Sequence, residues 1–188
     1  IDKYPSFLRA HKNLGQTLVK TGEYADAIPS LTQAIKLGAV DGVTYGLLGF
    51  AYLMTEQYAS AETAYRQAIM MQPKMRDWKL GLARSLFEQK SFAAAAALCG
   101  EMIKSSPDKA DYWLLQANAY LGMKKPMVAA QNYEYVDMMG KSSAQSLNML
   151  GDIYVNEGIM DMAADAYARA MRAAGEASPS QFLRNAEV

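Results

Sequence analysis

Side chains that attack carbonyls or hold metal ions are almost missing from this chain: its 188 residues include one histidine, His11, and one cysteine, Cys99. A hydrolytic centre needs a nucleophile with a base beside it, and a zinc site needs three or four convergent nitrogen, sulfur or carboxylate ligands. One imidazole and one thiol supply neither pattern. Carboxylates are more plentiful, and Glu56 with Glu62, or Asp161 with Asp165, could pair for acid–base work. Acidic residues at helix starts complement the positive end of the helix dipole, and that role is expected of them here. The thirteen methionines, among them Met70, Met71, Met75, Met138 and Met139, offer thioethers to a soft metal, yet adaptable core filling is the expected use. Gly46 and Gly49 lack a following Lys-Ser or Lys-Thr, so they make no phosphate cradle. The expectation is a chain without catalytic, cofactor-binding or metal residues.

Composition narrows the partners. Nineteen basic residues balance nineteen acidic ones, so nothing global draws in nucleic acid or an anionic membrane. Hydrophobic residues make up 51% of the chain, enough for a core. The most apolar stretch, Val43 to Met54, is too short to span a bilayer and suits a packed helix. Cys99 falls where a buried helix residue is needed and is expected to be an inert core thiol. The chain begins at Ile1 and not at a methionine, which leaves room for a leader before it, and cytoplasm and periplasm both stay open as compartments.

The elements that must position any functional side chain are set by a period. From Asp41 to Pro73 the spacing predicts two short helices, with Tyr45, Leu48, Gly49 and Tyr52 on one face of the first and Ala61, Tyr65 and Ala68 on one face of the second. Small residues at Gly49 and Ala61 let the two axes approach, so the pair forms a helical hairpin. Such a hairpin leaves a second face bare, which stacking of further hairpins covers. The step from Pro73 to Pro107 sets the period, and two such steps back from Pro73 lead to Pro5. Gly15, Gly49, Ala83, Ala117 and Gly151 share one slot. Ala27, Ala61, Ala95, Ala129 and Ala163 share another, and Leu31, Tyr65, Cys99, Tyr133 and Tyr167 a third.

These residues resemble the tetratricopeptide repeat family, whose unit is helix, turn, helix over about 34 residues. The family's pattern of a large residue, a leucine with a small residue, then an aromatic is present as Tyr45, Leu48, Gly49, Tyr52 and again as Leu147, Leu150, Gly151, Tyr154. The resemblance implies an all-α fold, a right-handed α-solenoid of stacked antiparallel helix pairs. It places repeats at 8–41, 42–75, 76–109, 110–143 and 144–178, with 1–7 ending a preceding helix and 179–188 starting a further repeat or capping helix. Phe182, Leu183, Asn185 and Ala186 carry that last expectation, and the array is expected to belong to a longer one. His11 and Lys79 stand where a large apolar residue is usual and Gln116 where leucine is, while Pro126 opens a second helix, a tolerated position.

The other face of the first helices is the expected working surface. Val43, Leu47, Phe50, Leu53 and Met54 lie opposite the Tyr45–Gly49 stripe, and the resemblance puts that face on the concave wall. Leu80 and Phe87 continue it, followed by Leu114, Leu115 and Leu121. Arg9, Lys12, Asn13 and Gln16 begin the wall, Arg84 and Asn118 interrupt it, and Asn148 and Asp152 close it. A partly apolar peptide or helix of a protein partner is the expected occupant. The alternatives are self-association through the end repeats and substrate presentation within a larger enzyme or membrane assembly. Co-chaperone repeats clamp a C-terminal carboxylate with lysines, asparagines and an arginine on three successive first helices, but here only Lys12 fits, with Leu47 and Gly81 in polar slots. Titration with a heat-shock chaperone tail peptide is accordingly expected to show no binding; micromolar affinity lost in Lys12→Ala would overturn this.

Overall fold

The structure, a computed structural model, describes residues 5–175, with side chains from Phe7 onward. Among the described residues there are ten helices and no strand: α1 (Pro5–Thr21), α2 (Tyr24–Lys36), α3 (Gly42–Met54), α4 (Tyr58–Met71), α5 (Arg76–Glu88), α6 (Phe92–Ser105), α7 (Ala110–Gly122), α8 (Pro126–Met138), α9 (Ala144–Asn156) and α10 (Met160–Ala173). From the second hairpin on, first helices begin at Gly42, Arg76, Ala110 and Ala144, and second helices begin at Tyr24, Tyr58, Phe92, Pro126 and Met160, each set evenly stepped by the sequence period. α1 starts earlier than that phase requires, at Pro5. The expected end of a preceding helix, residues 1–4, and the expected helix around Phe182 lie outside the described residues.

The chain divides into two compact units, 1–98 and 99–188, with the boundary inside α6. In the first unit, α1 pairs with α2 and α3 with α4, while α2 packs on α3 and α4 on α5. The first helices also touch one another, α1 with α3 and α3 with α5. In the second unit, α7 pairs with α8 and α9 with α10, and α8 packs on α9. The cores follow the register. Ala27, Leu31, Leu48, Ala51 and Ala64 form that of the first unit. Ala117, Ala129, Tyr133, Leu147, Leu150 and Ala163 are central to that of the second.

Each turn between paired helices closes the same way. At Glu56 the N–H bonds to the Leu53 carbonyl, and at Gln57 to the Tyr52 carbonyl; Lys90 with Ser91 and Lys124 with Lys125 repeat both bonds. This pair of hydrogen bonds ends a helix only if the first of the two residues is left-handed. Gly22 and Gly158 serve in the first and last hairpins, at φ 86° and 76°, whereas Glu56, Lys90 and Lys124 hold φ of 60°, 61° and 58° in the middle three. A side chain in that conformation costs about 1–2 kcal/mol, partly offset by the extra freedom glycine gives the unfolded chain. Each of Glu56→Gly, Lys90→Gly and Lys124→Gly is therefore expected to stabilise the fold by about 0.5–1 kcal/mol. Denaturant melts of the three single variants measure this, and a uniform loss of stability would refute it.

Candidate functional site

The site begins with an aromatic ring laid on bare backbone. Tyr65, on α4, is 2% exposed and lies between α3 and α5. A β-carbon at Gly49 of α3 would come within 3.0 Å of its ring, and one at Gly81 of α5 would run into the ring and its hydroxyl. The two glycines thus admit the tyrosine, and the tyrosine floors a cleft of about 310 Å³ between the two first helices. Leu47, Phe50 and Leu53 form the α3 wall. Trp78, Leu80 and Gly81 form the α5 wall, with Asp77 and Arg84 at either end of it. Trp78 is fitted against Gly46 of α3, where a β-carbon would meet the indole at 2.5 Å.

The electrostatics of this cleft are set by groups without partners. In the second unit the tyrosines of the same slot are anchored: the Tyr133 hydroxyl donates to Asn118 Oδ1 at 2.6 Å, and that of Tyr167 to Asp152 Oδ1 at 2.6 Å. The corresponding residue in the Tyr65 hairpin is Phe50, which accepts nothing. Burial raises the Tyr65 hydroxyl above the usual phenol range, and the nearby positive charge of Arg84 pulls it the other way. Asp77 and Arg84 are both exposed and enter no ion pair among the described residues. The Trp78 indole Nε1 is buried without a hydrogen-bond partner.

A second cleft, of about 210 Å³, occupies the second unit. Its lining includes Asn118, Tyr133, Gln145, Ser146 and Met149, which stand two repeats after Phe50, Tyr65, Asp77, Trp78 and Gly81; Leu114 and Ser143 complete it. Position is shared but chemistry is not, because amides and hydroxyls take the place of the aromatic and aliphatic wall. Beside it the Gln116 departure is matched inside the hairpin. Gln116 is 8% exposed and accepts from Asn132 Nδ2 at 3.0 Å, so a polar residue in a leucine slot is answered by a second amide.

Of the residues expected on the wall, Phe50, Leu53, Leu80 and Arg84 line the first cleft and Leu114 and Asn118 the second. Others are engaged elsewhere. Lys12 is ion-paired with Asp41 at 2.8 Å; burial pushes the Asp41 carboxyl up, but hydrogen bonds from Lys12 and Thr44 outweigh it and leave it below its ordinary value. Phe87 packs its ring edge on Phe92, 5.4 Å between centroids. Leu121 packs against the core of the second unit, and Asp152 holds Tyr167. Arg9, Asn13, Met54 and Asn148 are exposed and Gln16 half-buried, outside both clefts. Trp78 and Tyr65 line the first cleft although neither belongs to the expected wall. Trp78 is legible only through Gly46, the glycine it needs on another hairpin, and the spacing of Tyr65 places it in the hairpin core.

The chemically capable residues of the sequence serve the fold. Cys99 is fully buried, and that burial pushes its thiol up to about 12, far from a reactive thiolate. Glu62 accepts from Gln89 Nε2 at 2.8 Å and pairs with Arg66. Glu56 is a left-handed turn residue and not the helix-start acid expected of it. Asp165 pairs with Arg169, which also binds Glu134 and Asp137. Among the described residues no cluster of three His, Cys, Asp or Glu side chains could hold a metal ion.

Comparison with known proteins gives one answer along the chain. Profiles described as tetratricopeptide repeat match residues 10–39, 52–119 and 114–179. Intraflagellar transport protein 70A of Danio rerio is 30% identical over 78 residues, 42% of this chain and 12% of that protein. Its counterpart in Xenopus tropicalis is 25% identical over 126 residues, 67% of this chain and 17% of that protein. The chain therefore spans less than a fifth of these relatives. MamA (41-end) of Desulfovibrio magneticus RS-1 superposes with a TM-score of 0.76 at 19% identity, covering 88% of this chain and 94% of that one, a likeness of fold.

The Tyr65 wedge has a direct test. Gly81→Val is expected to lower stability by about 1–3 kcal/mol through overpacking against the ring. The double variant Gly81→Val, Tyr65→Leu should recover part of that loss in a denaturant melt. Additive losses would mean that the ring and the glycine are not coupled.

Proposed function

The chain belongs to the tetratricopeptide repeat family, and on that premise we propose that it is a non-catalytic interaction scaffold that takes a partly apolar peptide or helix of another protein against its first helices. The observation that carries this is the cleft between α3 and α5. Phe50, Leu53 and Leu80 are only half-buried there, on a surface that the hairpins do not cover themselves. Apolar side chains left open in a concave, rigid setting gain free energy when a ligand covers them, at about 25 cal/mol per Å². Because the cleft is built on helices, it is formed before the ligand arrives.

A second reading, self-association through the outer face of α1, has one observation in its favour. Leu14 is 50% exposed, while the leucines in its slot at Leu48, Leu82 and Leu150 are at most 6% exposed. Sedimentation velocity over a range of concentrations separates the readings. Assembly that disappears in Leu14→Asp supports the second.

The first reading is tested by affinity capture with the wild-type chain beside a Phe50→Asp, Leu80→Asp variant. Phe50 meets Tyr24 edge-on at 5.5 Å, so a stability loss of about 1–2 kcal/mol is expected alongside the loss of partner. Circular dichroism must show the variant folded. Proteins held by the wild type and lost by the folded variant would support the cleft as the working surface. Equal capture by both would reject it.

A further inference from the structure

Given the groove reading above, on which this step rests, the charges around the first cleft specify the ligand more closely. Arg84 and Asp77 sit two turns apart on α5, or roughly 10 Å at about 1.5 Å per residue. Neither has an ion-pair partner among the described residues, and both line the same cleft. Between them lies an apolar stretch, Leu47, Phe50 and Leu80. At the Arg84 side the Tyr65 hydroxyl lies against Gly81. It belongs to a side chain 2% exposed, and no described residue accepts its hydrogen. A hydroxyl at the cleft floor with no acceptor, close to an unpaired guanidinium, is a site prepared for an anion.

We propose that the cleft binds an internal, extended peptide segment in which a bulky apolar residue is flanked by an acidic residue held by Arg84 and Tyr65 and a basic residue facing Asp77. The acid, the apolar residue and the base stand at alternate positions, i, i+2 and i+4, since side chains of an extended chain alternate between faces and only every second one meets the cleft. The aliphatic or aromatic side chain between them fills the space over Phe50 and Leu80. The occupant is an internal segment, because Leu47 and Gly81 add no donor beyond Arg84 and Tyr65, the two groups that a side-chain carboxylate satisfies. Charge complementarity at both ends also fixes the direction in which the segment runs.

The test is selection from a random peptide library displayed with both ends of each peptide blocked by fusion, using the whole chain as bait. Enriched sequences are expected to carry an acidic residue on one side of a bulky apolar one and a basic residue on the other, always in the same order. Their affinity, measured by fluorescence anisotropy with synthetic peptides, is expected to fall at least about tenfold in Arg84→Met, the cost of removing a charge-assisted hydrogen bond. Tyr65→Phe, which keeps the ring on its two glycines, should reduce it severalfold. Asp77→Lys should shift enrichment away from basic residues.

Peptides that bind equally to wild type and Arg84→Met but are lost in Phe50→Asp, Leu80→Asp would overturn this proposal and leave the groove reading standing. Peptides indifferent to all these variants, or no enrichment in any library, would overturn both. Enrichment only when C-termini are free would overturn the choice of an internal segment.

Discussion

A ring or branched side chain on each of several second helices lies where a first helix has no side chain of its own, and the rest of the fold depends on that fit. Leu31 covers Gly15, Tyr65 covers Gly49 and Gly81, and Tyr167 covers Gly151. The contact lets two helix axes approach closely while filling the space between them, so close packing is reached without long aliphatic layers. Much of the remaining core is alanine, as at Ala27, Ala34, Ala61 and Ala68, each fully buried. Small residues at the crossing with one large residue beside them are the spacing rule that the hairpins share.

Because each hairpin repeats this rule, departures are absorbed locally. Gln116 disturbs a leucine slot, and Asn132 on the paired helix answers it. Arg169 gathers Glu134, Asp137 and Asp165, two of them on α8, and Glu134 also accepts from the Tyr154 hydroxyl at 3.1 Å. That cluster ties α8, α9 and α10 together. The net value of such an ion-pair group is small unless several charges act at once, which is the arrangement here. A solenoid tolerates this kind of substitution because stability is nearly a sum over neighbours.

The same repetition separates location from specificity. The two clefts occupy equivalent positions two repeats apart, yet one is walled by Phe50, Leu53 and Trp78 and the other by Asn118, Gln145 and Ser146. The backbone decides where a ligand can lie, and a few side chains at fixed offsets decide which ligand. One substitution links the two levels. Phe50 supplies apolar wall and, by failing to accept a hydrogen bond, leaves the Tyr65 hydroxyl available, whereas Asn118 and Asp152 consume the hydroxyls of Tyr133 and Tyr167.

The hairpins, their phase and their core slots were legible in the sequence, because helix periodicity and the even repeat step are properties of a local pattern that recurs in every hairpin. Glycine at 15, 49 and 151 and alanine at 27, 61, 95, 129 and 163 mark the core by their spacing alone. What the tertiary structure decided was which wall residues are free. Lys12 and Arg84 look alike as basic residues on first helices, yet one meets Asp41 and the other meets no acid among the described residues. Phe50 and Phe87 look alike as wall aromatics, yet the second turns to Phe92. Trp78 enters the cleft because Gly46, on the first helix of the preceding hairpin, leaves it room. Such outcomes depend on the reach and rotamer of side chains from different hairpins, and no periodicity within one hairpin encodes them.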